Sequence, residues 1–229
     1  MNETTGSLKV NRNTKTLRVL TLEKMRNAIL SDHFKPGERL VERQLCEQLD
    51  VSRTVVREVL RHLETEGLVE SIAHQGPVVA TFNADEAAQI YEIRVLLEGH
   101  AAYLCAQKAS DATLDQLKQI NAQIQAAFKA RDFNEVLART SAFYEAMFMG
   151  GGSTVAWGVV QSLNARINRL RAVTISAPGR DVEAAQEMAR ILVALGQRDA
   201  HAAQEASAAH VRRVAQIAAE KLKEKENRS

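Results

Sequence analysis

The chain has 229 residues, 45% of them hydrophobic, and a formal net charge of +2. That length allows two domains and that composition supports real cores. A charge so close to zero excludes a uniformly basic coat protein, so any nucleic-acid surface has to be local. With only three prolines and eleven glycines, the chain is expected to be mainly α. Cys46 and Cys105 fall in different predicted helices, which argues against a disulfide framework and for the cytoplasm. Both thiols read as small buried apolar residues. Residues 1–15 lack the apolar core of a signal peptide. The longest uncharged run, 146–165, is too polar and glycine-broken to span a bilayer, so no membrane association is expected.

In chain order, 1–15 read as a disordered tail and 16–31 as a helix with Leu22, Met25 and Ile29 on its apolar side. Pro36-Gly37 marks a turn. A second helix, 39–50, carries Val41, Leu45 and Leu49 on one face and ends at Asp50-Val51. Ser52 is a good N-cap for a third helix, 52–66. There Val56, Val59, Leu60 and Leu63 form an apolar stripe, while Arg53, Arg57 and Arg61 recur every four residues on the other side, beside Thr54. Helix, tight turn, basic helix is a helix-turn-helix layout. Three guanidiniums, a hydroxyl and a positive helix end suit phosphate oxygens and guanine edges in a major groove. The alternative is an ordinary solvated face.

Gly67 ends this helix as a left-handed residue. Two short β-type runs follow, 68–72 and 77–80, linked by Ala73-His74-Gln75-Gly76. A small hairpin straight after a basic helix is how a wing is built. His74 at its tip either reaches a minor groove or phosphate, or is an exposed turn histidine without a role. From residue 84 the pattern is helical throughout, with helices expected at 84–109, 111–130, 132–149, 153–173, 181–197 and 199–225. Asp111, Ser153 and Asp181 stand where N-caps belong. Gly150-Gly151-Gly152 lacks the lysine and preceding strand of a phosphate loop, and reads as the end of one helix and the cap of the next. The charged run 221–227 should fray. The fold class is therefore mainly α: an N-terminal winged helix-turn-helix over 16–80 and a C-terminal all-α bundle over 84–225.

Pro36-Gly37-Glu38-Arg39-Leu40, Val51-Ser52-Arg53-Thr54, Val56-Arg57-Glu58 and Glu66-Gly67-Leu68-Val69 closely resemble the winged-helix domain of GntR-superfamily regulators. Ile90-Tyr91-Glu92-Ile93-Arg94, with Leu97-Glu98, resembles the start of the FCD-type effector domain of the FadR branch. The resemblance implies a homodimer on an inverted-repeat operator in double-stranded DNA. Arg43, Arg53, Thr54 and Arg57 match positions that contact phosphates and bases, and His74 and Gly76 match the wing tip. Where many relatives have proline, this chain has Val55, which can contact a thymine methyl. Gln75 lengthens the wing tip by one residue.

Many FCD domains hold a divalent metal with one Asp and three His. The matching positions here are Thr140, Tyr144, Met188 and His210, so a single ligand survives and no metal is expected. These residues line a cavity for a partly apolar organic ligand, or the cavity is filled and His210 is a core histidine bonded to Tyr144 or backbone. Arg94 sits on the inward edge of a stripe of Ile90, Ile93, Leu97, Ala101 and Leu104. It binds a ligand carboxylate or pairs with Glu98 one turn on; the resemblance favours the ligand. No catalytic ordering of nucleophile, base and acid is present, so an enzyme is not expected. The reading is a dimeric bacterial regulator whose DNA affinity responds to a small organic acid or related metabolite, with no cofactor. The alternative is a ligand-independent regulator whose helical domain only dimerises.

Overall fold

The computed structural model describes residues 16–30, 33–81 and 84–226, so the expected tail at 1–15 lies outside it. The chain divides between Ala80 and Thr81 into two compact units. In the first, α1 (Leu17–Leu30), α2 (Glu42–Leu49) and α3 (Arg53–Thr65) precede β1 (Val69–Ile72) and β2 (Gly76–Val79). α3 buries Val56, Val59, Leu60 and Leu63 against α1 and α2, the stripe its three- and four-residue spacing predicts. On α1 the inward face is Thr21, Met25 and Ile29, with Leu22 only half-buried. Asp50 takes the left-handed conformation (φ 52°) that turns α2 into α3. Gly67 (φ 70°) ends α3 as expected.

The expected second helix starts late. Residues 38–40 are extended and bonded along β2: Val79 N–H donates to the Glu38 carbonyl (2.9 Å) and Leu40 N–H to that of Pro77 (2.8 Å). Leu40 is buried there, which a helix beginning at 39 would not achieve. β1 and β2 pair antiparallel from Val69↔Val79 to Ile72↔Gly76, the expected wing.

The second unit comprises α4 (Ala84–Lys108), α5 (Asp111–Ala130), α6 (Phe133–Gly150), α7 (Thr154–Ser162), α8 (Asn164–Ile175), α9 (Arg180–Gly196) and α10 (Ala200–Glu226). α4 and α10 pack along their lengths, and α5 packs on α6 and α9. The single helix expected over 153–173 is broken at Leu163. There the Ser162 hydroxyl donates to the Val159 carbonyl (2.7 Å), competing with the helical ladder. The caps also shift. Ser110, not Asp111, accepts from Thr113 N–H, and Gly179 (φ 74°) opens α9 ahead of Asp181. α6 does end in the glycine run, and Gly151 lets it approach α4: an added Cβ would lie 3.0 Å from Cys105 N. α10 stays helical to Glu226, helped by a Lys221–Glu224 bridge, where fraying was expected. Cys105 is fully buried, but Cys46 is only half-buried, short of the expected burial; both are free thiols.

Candidate DNA-reading surface and buried ion cluster

In the first unit, the Ser52 hydroxyl caps α3 by accepting from Val55 N–H (3.3 Å). Arg53 and Arg57 are 63% and 56% exposed at the side chain, Arg61 and Thr54 are also exposed, and Val55 is half-buried. The arginines are not idle in the free protein. Arg57 Nε donates to both oxygens of Glu42, at 2.9 and 3.0 Å, and Arg53 Nε lies 3.9 Å from the same carboxylate. The Glu42 hydrogen bond and charge raise the Arg57 pKa above its ordinary value. Arg43 on α2 is exposed and reaches back to Glu47 (3.1 Å). At the wing tip His74 is exposed with φ 65°, and Gly76 has φ 83° with open space around it. The turn therefore presents the imidazole outward in a backbone region that favours glycine or asparagine. Glu42 was not among the expected site residues; it lies fifteen positions before Arg57, a spacing without periodic meaning.

In the second unit the buried face of α4 keeps Ile90 and Ala101 of the expected stripe, with Leu97 and Leu104 half-buried, but its centre is rotated. It runs through Ala87, Tyr91, Arg94, Glu98, Ala102 and Cys105, while Ile93 is 38% exposed. Arg94, 1% exposed, is central on that face rather than at its edge. A charge is tolerable there because Nε and Nη2 donate to Glu98 at 2.7 and 3.3 Å. The pairing with Glu98 is thus realised, but Nη1 has no hydrogen-bond partner. Burial lowers the Arg94 pKa, and the charge and hydrogen bond of Glu98 together with the Tyr144 and Tyr91 phenols outweigh it, leaving it raised.

Arg94, Thr140, Met188 and His210 line one cavity of about 40 Å³, together with Arg171 and Arg180. Tyr144 does not line it; its ring lies 5.1 Å from the Arg171 guanidinium, and its hydroxyl is buried without a hydrogen-bond partner. Burial, then the Glu98 charge, push the phenol pKa up. His210 bonds neither Tyr144 nor backbone, as expected of a core histidine, but Glu187. The distance is 2.7 Å, and since that carboxylate is ionised the imidazole Nδ1–H donates. Arg180 Nη2 donates to the same oxygen at 2.6 Å. Burial would raise the Glu187 pKa, yet the hydrogen bonds from His210 and Arg180 hold it at about 2. Burial keeps His210 below its ordinary value. Burial and the Arg94 charge bring Arg171 down to about 10, still cationic at neutral pH.

This donor set does not fit a divalent metal. His210 and Glu187 are engaged with each other and with a guanidinium, and further arginines would repel a cation. Among the described residues no three His, Cys, Asp or Glu side chains converge. Nor is any helix among them long and apolar enough to cross a membrane.

Known proteins share both units. Residues 21–79 match the bacterial regulatory proteins of the gntR family, and residues 89–213 match the FCD domain. The Nta operon transcriptional regulator of Aminobacter aminovorans is 40% identical over 89 residues, which is 39% of this chain and 42% of that protein. The HTH-type transcriptional regulator YdhC of Bacillus subtilis (strain 168) is 27% identical over 81% of this chain and 84% of its own. Among solved structures, a GntR transcriptional regulator from Rhodococcus sp. RHA1 superposes with a TM-score of 0.73 at 23% identity, covering 87% of this chain and 96% of that one. E. coli McbR/YncC gives 0.71 at 21%, covering 87% and 95%. Regulators, not enzymes, surround this sequence. The chain belongs to the GntR family of DNA-binding bacterial transcriptional regulators, with a winged helix-turn-helix unit followed by an FCD domain.

Proposed function

We propose that the protein is a cytoplasmic homodimer whose two winged units grip an inverted-repeat operator in double-stranded DNA, and whose helical unit takes a small organic acid that alters operator affinity. The observation that carries the DNA part is α3 itself: Arg53, Thr54 and Arg57 stand exposed on a helix whose other face is buried. In this reading those three and Val55 meet base edges and phosphates, Ser52 and Arg43 meet phosphates, and His74 and Gly76 enter the minor groove. The dimer reading is supported by apolar exposure on α4, where Leu96 is 71% exposed beside Ile93, along a groove of about 630 Å³ between α4 and α10. The effector occupies the cavity lined by Arg94, Thr140, Met188 and His210, with Tyr144 beyond it. Its binding changes operator affinity through a coupling free energy of ~1–3 kcal/mol.

The test is fluorescence anisotropy on sites selected from a randomised DNA pool. An inverted repeat should emerge, and Arg57→Ala should weaken binding to it more than binding to unrelated DNA. Absence of any sequence preference at physiological salt would refute the reading.

A further inference from the structure

The cavity carries more positive charge than its surroundings neutralise. Arg94, Arg171 and Arg180 reach it from α4, α8 and α9, and are 1%, 6% and 3% exposed. Arg94 is matched by Glu98 and Arg180 by Glu187. The neighbouring Arg213–Glu183 pair (2.9 Å) is balanced within itself. Arg171 differs. Its Nη1 donates to Asn168 Oδ1 at 3.1 Å and to Ser141 Oγ at 3.3 Å, both neutral, and its guanidinium faces the Tyr144 ring. Among the described residues no carboxylate lies within ion-pair distance of it. A buried cation without a counter-charge is costly, and it persists where something supplies that charge. Arg94 Nη1 and Arg180 Nη1, also buried, lack hydrogen-bond partners.

We infer that this cavity is a metal-free seat for the carboxylate of a monoanionic organic acid, held by Arg171 with Arg94 and Arg180. The inference rests on reading the cavity as the effector site and names the effector's chemistry. A single surplus positive charge matches a monoanion. Dianionic phosphate would leave a buried negative charge instead, and a divalent cation would add to the surplus. Guanidiniums present N–H pairs in the spacing of carboxylate oxygens. Phe128, Leu137, Ile175 and Val214 line the same cavity, so the rest of the acid is apolar.

The experiment uses the full chain, with calorimetric titration and thermal melting against sodium acetate, propionate and benzoate, and against sodium phosphate and chloride at matched ionic strength. At least one carboxylate should bind and raise the melting temperature, while phosphate and chloride do not. Arg171→Met should weaken that binding roughly ten- to hundred-fold, the loss expected for a charge-assisted hydrogen-bond pair. Its ligand-free melting temperature should not fall, because it removes the surplus charge. Arg171→Lys, which keeps the charge and loses the fork, should fall between and carries the test if the methionine variant does not fold. Silence from all three acids, undiminished binding in both variants, or tighter binding of phosphate overturns the inference. Operator affinity is a separate readout. Carboxylate binding that leaves it unchanged upholds the seat and refutes the sensor reading. An uncharged metabolite that changes it, with no carboxylate binding, does the reverse.

Discussion

Glu187→Gln isolates the ion cluster beneath the cavity. The carboxylate is 6% exposed and receives Arg180 at 2.6 Å and His210 at 2.7 Å. Its folded-state pKa of about 2 stands against an ordinary 4.5. That difference corresponds to about 3 kcal/mol of preference for the charged form in the folded state. Because the folded value is depressed, this stability is fully present above the ordinary value and is lost as pH falls through it toward the folded one. Glutamine keeps the shape and one acceptor but removes the charge, leaving Arg180 only the half-exposed Glu183 at 3.6 Å. The variant should therefore melt lower than the parent near neutral pH by roughly 6–12 °C, taking about 2–4 °C per kcal/mol for a unit of this size. Calorimetric melting of the helical unit at about pH 7 and about pH 3 gives the comparison, with the gap narrowing to roughly half at the lower pH. A gap near zero at neutral pH, or one of equal size at both, would refute the assignment of an ionised Glu187 as the cluster's counter-charge.

Three further substitutions probe the rest of the molecule. Glu42→Gln frees Arg57 and Arg53 and removes a negative charge from the face proposed to meet phosphates. Affinity for unrelated DNA should rise, with a salt slope steeper by about one counterion, and an unchanged slope would count against Glu42 competing with DNA. Gly151→Ala forces a Cβ to within 3.0 Å of Cys105 N and 3.1 Å of Leu104 Cβ, which should cost about 1–3 kcal/mol in thermal melting. Gly158→Ala in α7, with nothing within 4 Å, should instead stabilise by up to ~1 kcal/mol, and equal effects would refute the close-approach argument.

What the sequence conveys depends on whether a feature is local. The α3 stripe of Val56, Val59, Leu60 and Leu63 is visible because helical periodicity and burial coincide, and Ser52 announces its own cap. The β1–β2 hairpin is visible because its turn lies between two short β-type runs. The break at Leu163 is not, since nothing in the periodicity changes there; the Ser162 hydroxyl, 2.7 Å from the Val159 carbonyl, accompanies it. The extended strip at 38–40 is missed for the opposite reason: its partner is β2, far along the chain. The cavity shows both cases. Arg94 and Glu98 are one turn apart and suggest their own pairing. Arg171, Arg180, Glu187 and His210 come from three helices, and only the tertiary fold brings them together. Nothing in the local spacing of Arg171 or Arg180 marks either for burial.

The strip at 38–40 has a consequence for the wing. Two four-residue strands make a ribbon too short to keep its shape in water unaided. Gly37, Glu38 and Leu40 splint it from the side, each through a backbone bond to β2. The hairpin tip bearing His74 is thus braced by a segment outside the proposed DNA contacts. An insertion or substitution around Pro36 should loosen the finger and blur operator discrimination while every proposed contact residue remains unaltered.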